Sequence, residues 1–188
     1  LDKLNRDGSV WVSKLSEELG VTEETIRRDL EKLEGQEVLV RTHGGAVPIN
    51  ESTYELSLEK RKQTNLPAKE KLAKKAAEYI LSGDTIFLDS STTTFYIAKE
   101  IKKLKNVTVI TNSLRVINEL SNVENIKTIA VGGVVSNNQS LVGYLTEDSL
   151  KSNFFATKFF FSSKGVSPEA GIMESNDMEC AIKKQMLA

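Results

Sequence analysis

The residues with the clearest potential for chemistry lie in the stretch IFLDSSTTTFYIA. An apolar run there is followed by one acid and five hydroxyl side chains: Asp89, Ser90, Ser91, Thr92, Thr93 and Thr94. Backbone N–H groups at a helix N-terminus have no partner within the helix and can bind an anion, and hydroxyl groups add donors. The stretch is typical of a phosphate-binding loop, although simple capping of a helix by Ser or Thr leaves the same pattern.

Polar loops also follow three further apolar runs, VTVI, TIAV and KFFF. They contain Thr111, Asn112 and Ser113; Gly132 and Gly133; and Ser162, Ser163, Lys164 and Gly165. Ligands in open α/β sheets bind outside the carboxyl ends of the strands, so these loops can meet in one crevice. Their hydroxyls, amides, acid and lysine suit a phosphorylated polyol. Neither a Walker loop nor G-x-G-x-x-G is present, which disfavours nucleotide hydrolysis and dinucleotide binding.

A second candidate surface lies in TEETIRRDLEKLE, residues 22–34. Thr22 is a predicted N-cap, and Ile26, Leu30 and Leu33 recur at helical spacing. The opposite face then carries Thr25, Arg27, Arg28 and Lys32. Such a helix can lie in a major groove, where arginine reads guanine and lysine reaches phosphates. Taken alone, the same face could be a solvated one with Arg27 and Arg28 paired to Glu24 and Glu31.

The elements around this helix favour DNA recognition. We predict a helix end at 1–5, a strand at 10–12, and a helix in SKLSEELG with Ser13 as N-cap and Gly20 at its end. A hairpin of 38–41 and 46–47 turns through Gly44 and Gly45. Two helices joined by a short turn containing glycine, followed by a hairpin, indicate a winged helix-turn-helix. Arg41, His43 and Gly44 then lie on the wing, where they can contact DNA backbone or minor groove, with a purely structural role for His43 equally open.

The rest of the chain has a different pattern of predicted secondary structure. A polar linker is predicted at 48–66, and after it a helical pattern gives way to alternating short strands and helices. The chain is therefore predicted to be an α/β protein of two domains: a winged helix-turn-helix at 1–47 and a sensor with a mostly parallel sheet at 67–188.

Charge predicts that DNA binding needs more than one copy. The net charge is −1 overall, but residues 1–47 hold seven Lys and Arg against ten Asp and Glu, a net charge of −3. Electrostatic attraction to DNA is then local and weak, so specific binding requires two copies acting together. We expect a homo-oligomer, a dimer or a tetramer.

Composition excludes several classes of site. Cys180 is the single cysteine and His43 the single histidine, so neither a disulfide nor a metal site is expected, and we expect no cofactor. Because no apolar run reaches the roughly 18 residues of a membrane span and no signal peptide opens the chain, we expect a cytoplasmic protein without a membrane partner.

The motifs together resemble the DeoR family of bacterial transcriptional regulators. TIRRDLEKLE and RTHGGAV are similar to its DNA-binding signature, and DTIFLDSSTTT, VITNS, VGG, SLVG and KGV to its sensor domain. The resemblance implies a repressor of a sugar-metabolism operon whose sensor, similar in fold to ribose-5-phosphate isomerase, binds a phosphorylated sugar and releases DNA. It assigns DNA contacts to Arg27, Arg28, Arg41 and His43, and effector contacts to Asp89, Thr92, Thr93, Asn112, Gly132, Gly133 and Lys164.

The sequence departs from the family pattern at several positions. Ser91 and Glu37 stand where the family usually has glycine, and Ser136, Asn137 and Asn138 lack an arginine that many members carry. The resemblance also implies that the first helix is shortened and that the last strands of the sensor are absent.

Two other functions are compatible with the residues. A sugar-phosphate isomerase or deaminase could use Asp89 or Glu174 as base beside Lys164, and the regulator could respond to a non-sugar effector. The N-terminal module favours a regulator over an enzyme, so we predict no catalytic residues and place Glu174 among the effector contacts. As a hypothesis, the helix of residues 68–81 and the basic linker with Lys60 and Arg61 transmit the effector signal.

Overall fold

A computed structural model describes residues 1–42, 44–48 and 58–188, without the side chain of Asn5. The chain divides into two compact units, Leu1–Ser57 and Leu58–Ala188. Of the predicted linker, residues 58–66 are described as part of the second unit, where they form one short helix and lead into the next. Residues 49–57 lie outside the described part.

The first unit contains three helices and three short strands: α1 (Asp2–Asp7), β1 (Val10–Trp11), α2 (Val12–Leu19), α3 (Glu23–Gly35), β2 (Leu39–Thr42) and β3 (Gly45–Pro48). The strands form an antiparallel sheet in the order β1-β3-β2. Helix, strand, helix, helix and hairpin is the predicted order of a winged helix-turn-helix.

Local sequence explains the boundaries of α2 and α3. Gly20 adopts a left-handed φ of 64° and ends α2, and the Thr22 hydroxyl caps α3 by accepting a hydrogen bond from the Thr25 N–H at 3.3 Å. The prediction of Ser13 as N-cap of α2 is wrong, because Trp11 holds that position. The Val12 N–H at the start of α2 instead donates to the Gly44 carbonyl at 2.9 Å, so a backbone group satisfies this helix terminus.

The core of the first unit fixes the orientation of α3. Ile26 and Leu30 are each 5% exposed and pack in a cluster with Leu4, Val10, Val12, Leu39 and Ala46. Because one stripe of α3 is buried in this way, its opposite face is presented to solvent.

The second unit contains six helices and eight strands within its described residues. In chain order they are α4 (Leu58–Gln63), α5 (Leu66–Ala77), β4 (Thr85–Leu88), α6 (Thr92–Ile101), β5 (Val107–Thr111), α7 (Leu114–Leu120), β6 (Ile126–Ala130), β7 (Val134–Val135), β8 (Leu141–Val142), α8 (Tyr144–Asn153), β9 (Lys158–Phe160), β10 (Gly165–Ser167), β11 (Gly171–Met173) and α9 (Asp177–Leu187). The sequence did not predict α8 or the two hairpins β7–β8 and β10–β11.

A four-stranded parallel sheet organises this unit in the order β6-β5-β4-β9. Ile86 and Leu88 pack on one face with residues of α5, α6 and α7, whereas Phe87 packs on the other with Ile182 of α9. The prediction of an α/β unit with a mostly parallel sheet is confirmed. Because all four strands run in one direction, the loops that follow them emerge at a single edge.

Candidate nucleic-acid interface and candidate effector site

The cations on the outer face of α3 differ in whether the described residues include an ion-pair partner for them. Arg28 and Lys32 are exposed, and Thr25 is half-buried beside the N-cap. Arg27 pairs with Glu23 at 2.5 Å and lies 3.9 Å from Glu24. Within the described residues neither Arg28 nor Lys32 forms an ion pair. The alternative in which acids of the same helix neutralise the arginines therefore applies to Arg27 but not to Arg28.

The wing is tied to the end of α3. The Arg41 backbone N–H donates to Glu34 Oε1 at 2.8 Å, and the Arg41 side chain is exposed. Gly45 faces β1 so closely that an added Cβ would lie 2.0 Å from the Val10 carbonyl oxygen, which requires glycine there. Gly44 has a φ of 93° beside the Trp11 ring. His43 lies outside the described residues.

Asp89 joins two of the predicted effector loops. Its carboxylate is 1% exposed and accepts hydrogen bonds from the Ser91 N–H at 2.9 Å, the Thr94 hydroxyl at 2.8 Å and the Ser162 N–H at 3.0 Å. These contacts connect the loop after β4 with the loop after β9. Asp89 therefore organises the loops from within.

The loop after β5 lies against the same edge. The Thr111 hydroxyl donates to the Leu88 carbonyl at 2.6 Å and accepts from the Ser113 N–H at 3.0 Å. The Asn112 amide donates to the Leu141 carbonyl at 3.1 Å, while its oxygen Oδ1 is buried and has no hydrogen-bond partner among the described residues. This oxygen is a buried acceptor whose hydrogen-bonding capacity the described residues leave unused.

The N-terminus of α6 has the expected chemistry for an anion. Ser91 is its N-cap, and its hydroxyl accepts a hydrogen bond from the Thr94 N–H at 3.2 Å, so the helix-capping role that the sequence left open is present. Thr92 is buried and Thr93 half-buried in the first turn. The Asp89 carboxylate and the Ser91 hydroxyl accept from two of the four initial N–H groups, those of Ser91 and Thr94, so within the described residues the N–H groups of Thr92 and Thr93 are the donors left for an anion.

The other predicted effector residues divide between structural contacts and the surface. The Gly132 carbonyl accepts from the Thr146 hydroxyl at 2.6 Å, and a Cβ on Gly133 would lie 1.9 Å from that hydroxyl. Lys164 is exposed, and its backbone N–H donates to Met173. Within the described residues, the lysine that pairs with Asp89 is Lys183, whose Nζ lies 3.5 Å from Asp89 Oδ2. Lys183 also pairs with Glu174.

Sequence reasoning missed two residues of α9 that complete this network. Glu179 is 7% exposed and accepts hydrogen bonds from the hydroxyls of Ser90, at 2.8 Å, and Ser140. Lys183 follows it by four residues and so shares its face of the helix. An acid and a lysine four residues apart, on a helix that also carries Ile182 and Met186, were the available signal.

Burial and charge act in opposite directions on Lys183. Burial by itself would lower the pKa of this lysine, but the carboxylates of Asp89, Glu174 and Glu179 outweigh it, so its pKa is raised. Lys183 is therefore a firmly protonated counter-charge for buried acids.

Arg115 was also missed, and it lies at the loop after β4. The side chain is 8% exposed, and its Nη2 donates to the Ser90 carbonyl. Burial and the positive charge of Arg61 lower the pKa of this guanidinium. Lys69 has a lowered pKa for the same reasons, first burial and then the charges of Arg61 and Arg115. Arg115 thus feels the positive charge of Arg61 together with the negative charges of Asp89, Glu59 and Glu179.

Metal-binding clusters and membrane-spanning helices are both absent from the residues that the structure describes. No three His, Cys, Asp or Glu side chains are grouped so that they could hold a metal ion. No described helix is both long and apolar enough to cross a membrane.

Comparison with known proteins accounts for both units. Residues 1–52 match the profile of the DeoR-like helix-turn-helix domain, and residues 64–188 that of the DeoR C-terminal sensor domain. An uncharacterised HTH-type transcriptional regulator of Bacillus subtilis is 44% identical over 185 residues, covering 98% of this chain and 71% of that protein. The lactose phosphotransferase system repressor of Streptococcus mutans is 39% identical over 98% of this chain and 74% of its own length. The L-fucose operon activator of Haemophilus influenzae is 36% identical over 100% and 75%.

Proposed function

We propose that this chain, which belongs to the DeoR family of transcriptional regulators, represses a sugar-metabolism operon and is released from DNA by a phosphorylated sugar. The observation that carries the proposal is the pairing of a winged helix-turn-helix with a parallel-sheet unit whose polar loops surround the N-terminus of α6. Relatives named as regulators of lactose and fucose genes support sugar metabolism as the controlled process.

DNA recognition is assigned to the exposed face of α3 and to the wing. Arg28, Lys32 and Arg41 are exposed and have no ion pair within the described residues, so binding DNA breaks no existing pair at these positions. Thr22, Thr25, Arg27, His43 and Gly44 complete the proposed interface. Arginine on such a helix can fork onto guanine, and lysine can reach phosphate.

Effector recognition is assigned to the loops at the carboxyl edge of the sheet. Hydroxyls from Ser90 to Thr94 surround a helix N-terminus that favours an anion, and the free Asn112 oxygen can accept a sugar hydroxyl. The N-terminal helix-turn-helix unit, which an isomerase does not need, supports a regulator rather than an enzyme.

Transmission of the signal is assigned to α4 and α5. Arg61 of α4 donates to Asn138 at 2.6 Å, and Lys69 of α5 donates to the carbonyls of Thr64, at 2.8 Å, and Arg61. The loop with Asn138 is bound in turn to the loop after β5, through the Leu114 N–H and the Gln139 carbonyl at 3.0 Å. A ligand shifts a DNA-binding equilibrium only if its affinity differs between the two states, and these contacts can supply that difference.

The experiment has two steps. The chain is first used to select bound duplexes from a random DNA pool, and the enriched sequence becomes the operator probe. Fluorescence anisotropy then measures operator affinity with hexose 1-phosphates, hexose 6-phosphates, ketose 1-phosphates and glycerol 3-phosphate, each beside its unphosphorylated parent. We expect one phosphorylated compound to weaken binding while its parent does not. Failure to enrich any DNA sequence would contradict the DNA-binding part, and no effect from any phosphate would contradict the effector part.

A variant tests the route of transmission. Arg61→Met removes the contact with Asn138 and should reduce the release of DNA by the effector, while leaving operator affinity without effector unchanged. Lys62→Met is the matched control, since Lys62 bonds to Glu59 within α4. If Arg61→Met releases DNA as the unmodified chain does, the signal takes another route.

A further inference from the structure

Arg115 presents an unusual combination of burial and missing partners. Its side chain is 8% exposed, yet Nε and Nη1 have no hydrogen-bond partner within the described residues. A buried charged donor left without a partner is costly, and native proteins seldom retain one without a reason. The remaining nitrogen, Nη2, donates to the Ser90 carbonyl, which fixes the guanidinium at the loop before α6.

The surroundings of Arg115 favour a negatively charged group. Ser90 precedes the N-cap Ser91, so the guanidinium lies beside the positive end of the α6 dipole. The Phe95 ring of α6 lies under it, with its centroid 5.7 Å from Cζ. The charge of Arg61 opposes that of Arg115 and the carboxylates of Asp89, Glu59 and Glu179 offset it, but Asp89 and Glu179 already accept hydrogen bonds from other donors. Nε–H and Nη1–H therefore have no acceptor among the described residues, and an anion at the N-terminus of α6 would supply one.

We infer that Arg115 is an anion-binding residue of the effector site, donating Nε–H and Nη1–H to the phosphate group at the N-terminus of α6. This inference rests on the proposed function for the identity of the ligand as a sugar phosphate. It makes Arg115 a specificity residue, because two charge-assisted hydrogen bonds favour the phosphorylated sugar over its parent and leave the sugar ring to other side chains. Since both nitrogens are shielded from solvent, the anion reaches them only when neighbouring groups move, which couples binding to a change of conformation.

A direct test observes the guanidinium itself. The full chain is labelled with nitrogen-15 arginine, and the Arg115 Nε–H resonance is identified by its loss in Arg115→Lys. Inorganic phosphate is titrated, with sodium chloride at equal ionic strength as control. We expect a saturable shift of the Arg115 resonance in phosphate and none in chloride, with the exposed Arg6 unmoved. An Arg115 resonance that stays in place throughout the phosphate titration would overturn the inference.

A second measurement separates this inference from the proposed function. Calorimetry compares the unmodified chain, Arg115→Lys and Arg115→Met against the sugar phosphate that releases DNA and against its parent. We expect Arg115→Met to lose about 10- to 100-fold in affinity for the phosphate, with a smaller loss in Arg115→Lys, and no change for the parent. Equal affinity in all three chains would overturn the role of Arg115. If no sugar phosphate binds the unmodified chain while inorganic phosphate still shifts the Arg115 resonance, anion binding by Arg115 is supported and the proposal of a sugar-phosphate effector is contradicted.

Discussion

Arg27 and Arg28 are neighbours in the sequence but differ in what surrounds them. Arg27 is held by Glu23 and lies near Glu24, whereas Arg28 is exposed without an ion pair within the described residues. A surface ion pair contributes little stability, but it must be broken before its arginine can bind DNA. The two arginines should therefore contribute unequally to DNA binding.

Arg28→Ala should weaken operator binding by about 1 to 3 kcal/mol, because it removes an exposed guanidinium that we propose contacts a base in the major groove. Anisotropy titration at one fixed salt concentration measures the loss. Arg6→Ala is the matched control, since Arg6 is exposed in the same unit and pairs only with Asp7 among the described side chains. An unchanged affinity for Arg28→Ala would remove Arg28 from the proposed base-reading residues.

Lys183 is the counter-charge for two acids, and its loss should destabilise the fold. Lys183→Met leaves Asp89 and Glu174 without their ammonium partner, which costs about 3 kcal/mol for a buried pair. Urea unfolding at pH 7 measures this, with Lys184→Met as control because Lys184 is exposed. Equal stability of the two variants would contradict the role of Lys183.

The same lysine predicts a pH dependence. Its pKa is raised in the folded chain, so its contribution is fully present below the unfolded value near 10.5 and is lost as pH rises through the folded pKa. The difference in unfolding free energy between the unmodified chain and Lys183→Met should be constant from pH 7 to about 10 and shrink above that. A difference that shrinks toward acid pH would show that another group is responsible.

At the scale of elements, the turn between α3 and the wing contains a non-glycine residue in a left-handed backbone conformation. Glu37 has a φ of 53°, the left-handed region that favours glycine. This is the position where the DeoR pattern usually has glycine, and the glutamate here adopts the left-handed conformation that glycine favours. The Glu37 N–H donates to the Glu34 carbonyl at 2.8 Å and keeps the turn closed.

Glu37→Gly should therefore stabilise the first unit by about 1 kcal/mol, because it removes the cost of a left-handed non-glycine residue. Thermal unfolding followed by circular dichroism measures the gain. Gln36→Gly is the control at the preceding residue, where φ is −87°, and it should lose stability through added freedom in the unfolded chain. A loss of stability in Glu37→Gly would show that the glutamate side chain contributes more than the strain removes.

At the scale of the whole molecule, charge predicts how DNA binding depends on salt. Residues 1–47 have a net charge of −3, and the proposed contacts offer three exposed cations per copy, Arg28, Lys32 and Arg41. Overall attraction to DNA is thus weak, and affinity must come from these contacts repeated in more than one copy.

The slope of log affinity against log salt should be about −3 if one copy binds and about −5 if two copies bind the operator. Anisotropy across a potassium chloride series gives the slope, and sedimentation of the same sample gives the number of copies. A two-copy complex with a slope near zero would show that the three cations do not contact phosphate. The homo-oligomer itself stays a prediction until that measurement.

The sequence alone determined the order of elements in the first unit and the type of each unit. Apolar residues at helical spacing in α3 and the alternation of short apolar runs with helical ones are local patterns, and the buried Ile26 and Leu30 confirm the orientation that the α3 pattern predicts. The four polar loops were also predictable, because parallel strands place their carboxyl ends at one edge. Similarity in fold to ribose-5-phosphate isomerase and the residue assignments of both sites stay predictions.

Only the tertiary structure decided which side chains complete the loops. Glu179 and Lys183 reach Ser90 and Asp89 from about 90 residues away, and Arg115 reaches Ser90 from the next helix. Such contacts depend on how α7 and α9 pack on the sheet, which no local periodicity encodes. The sequence likewise did not show that Arg27 is paired while Arg28 has no ion pair among the residues that the structure describes, because acids lie at pairing distance along the helix from both arginines. Local patterns fix elements through backbone and burial preferences, whereas long-range packing decides which charges meet.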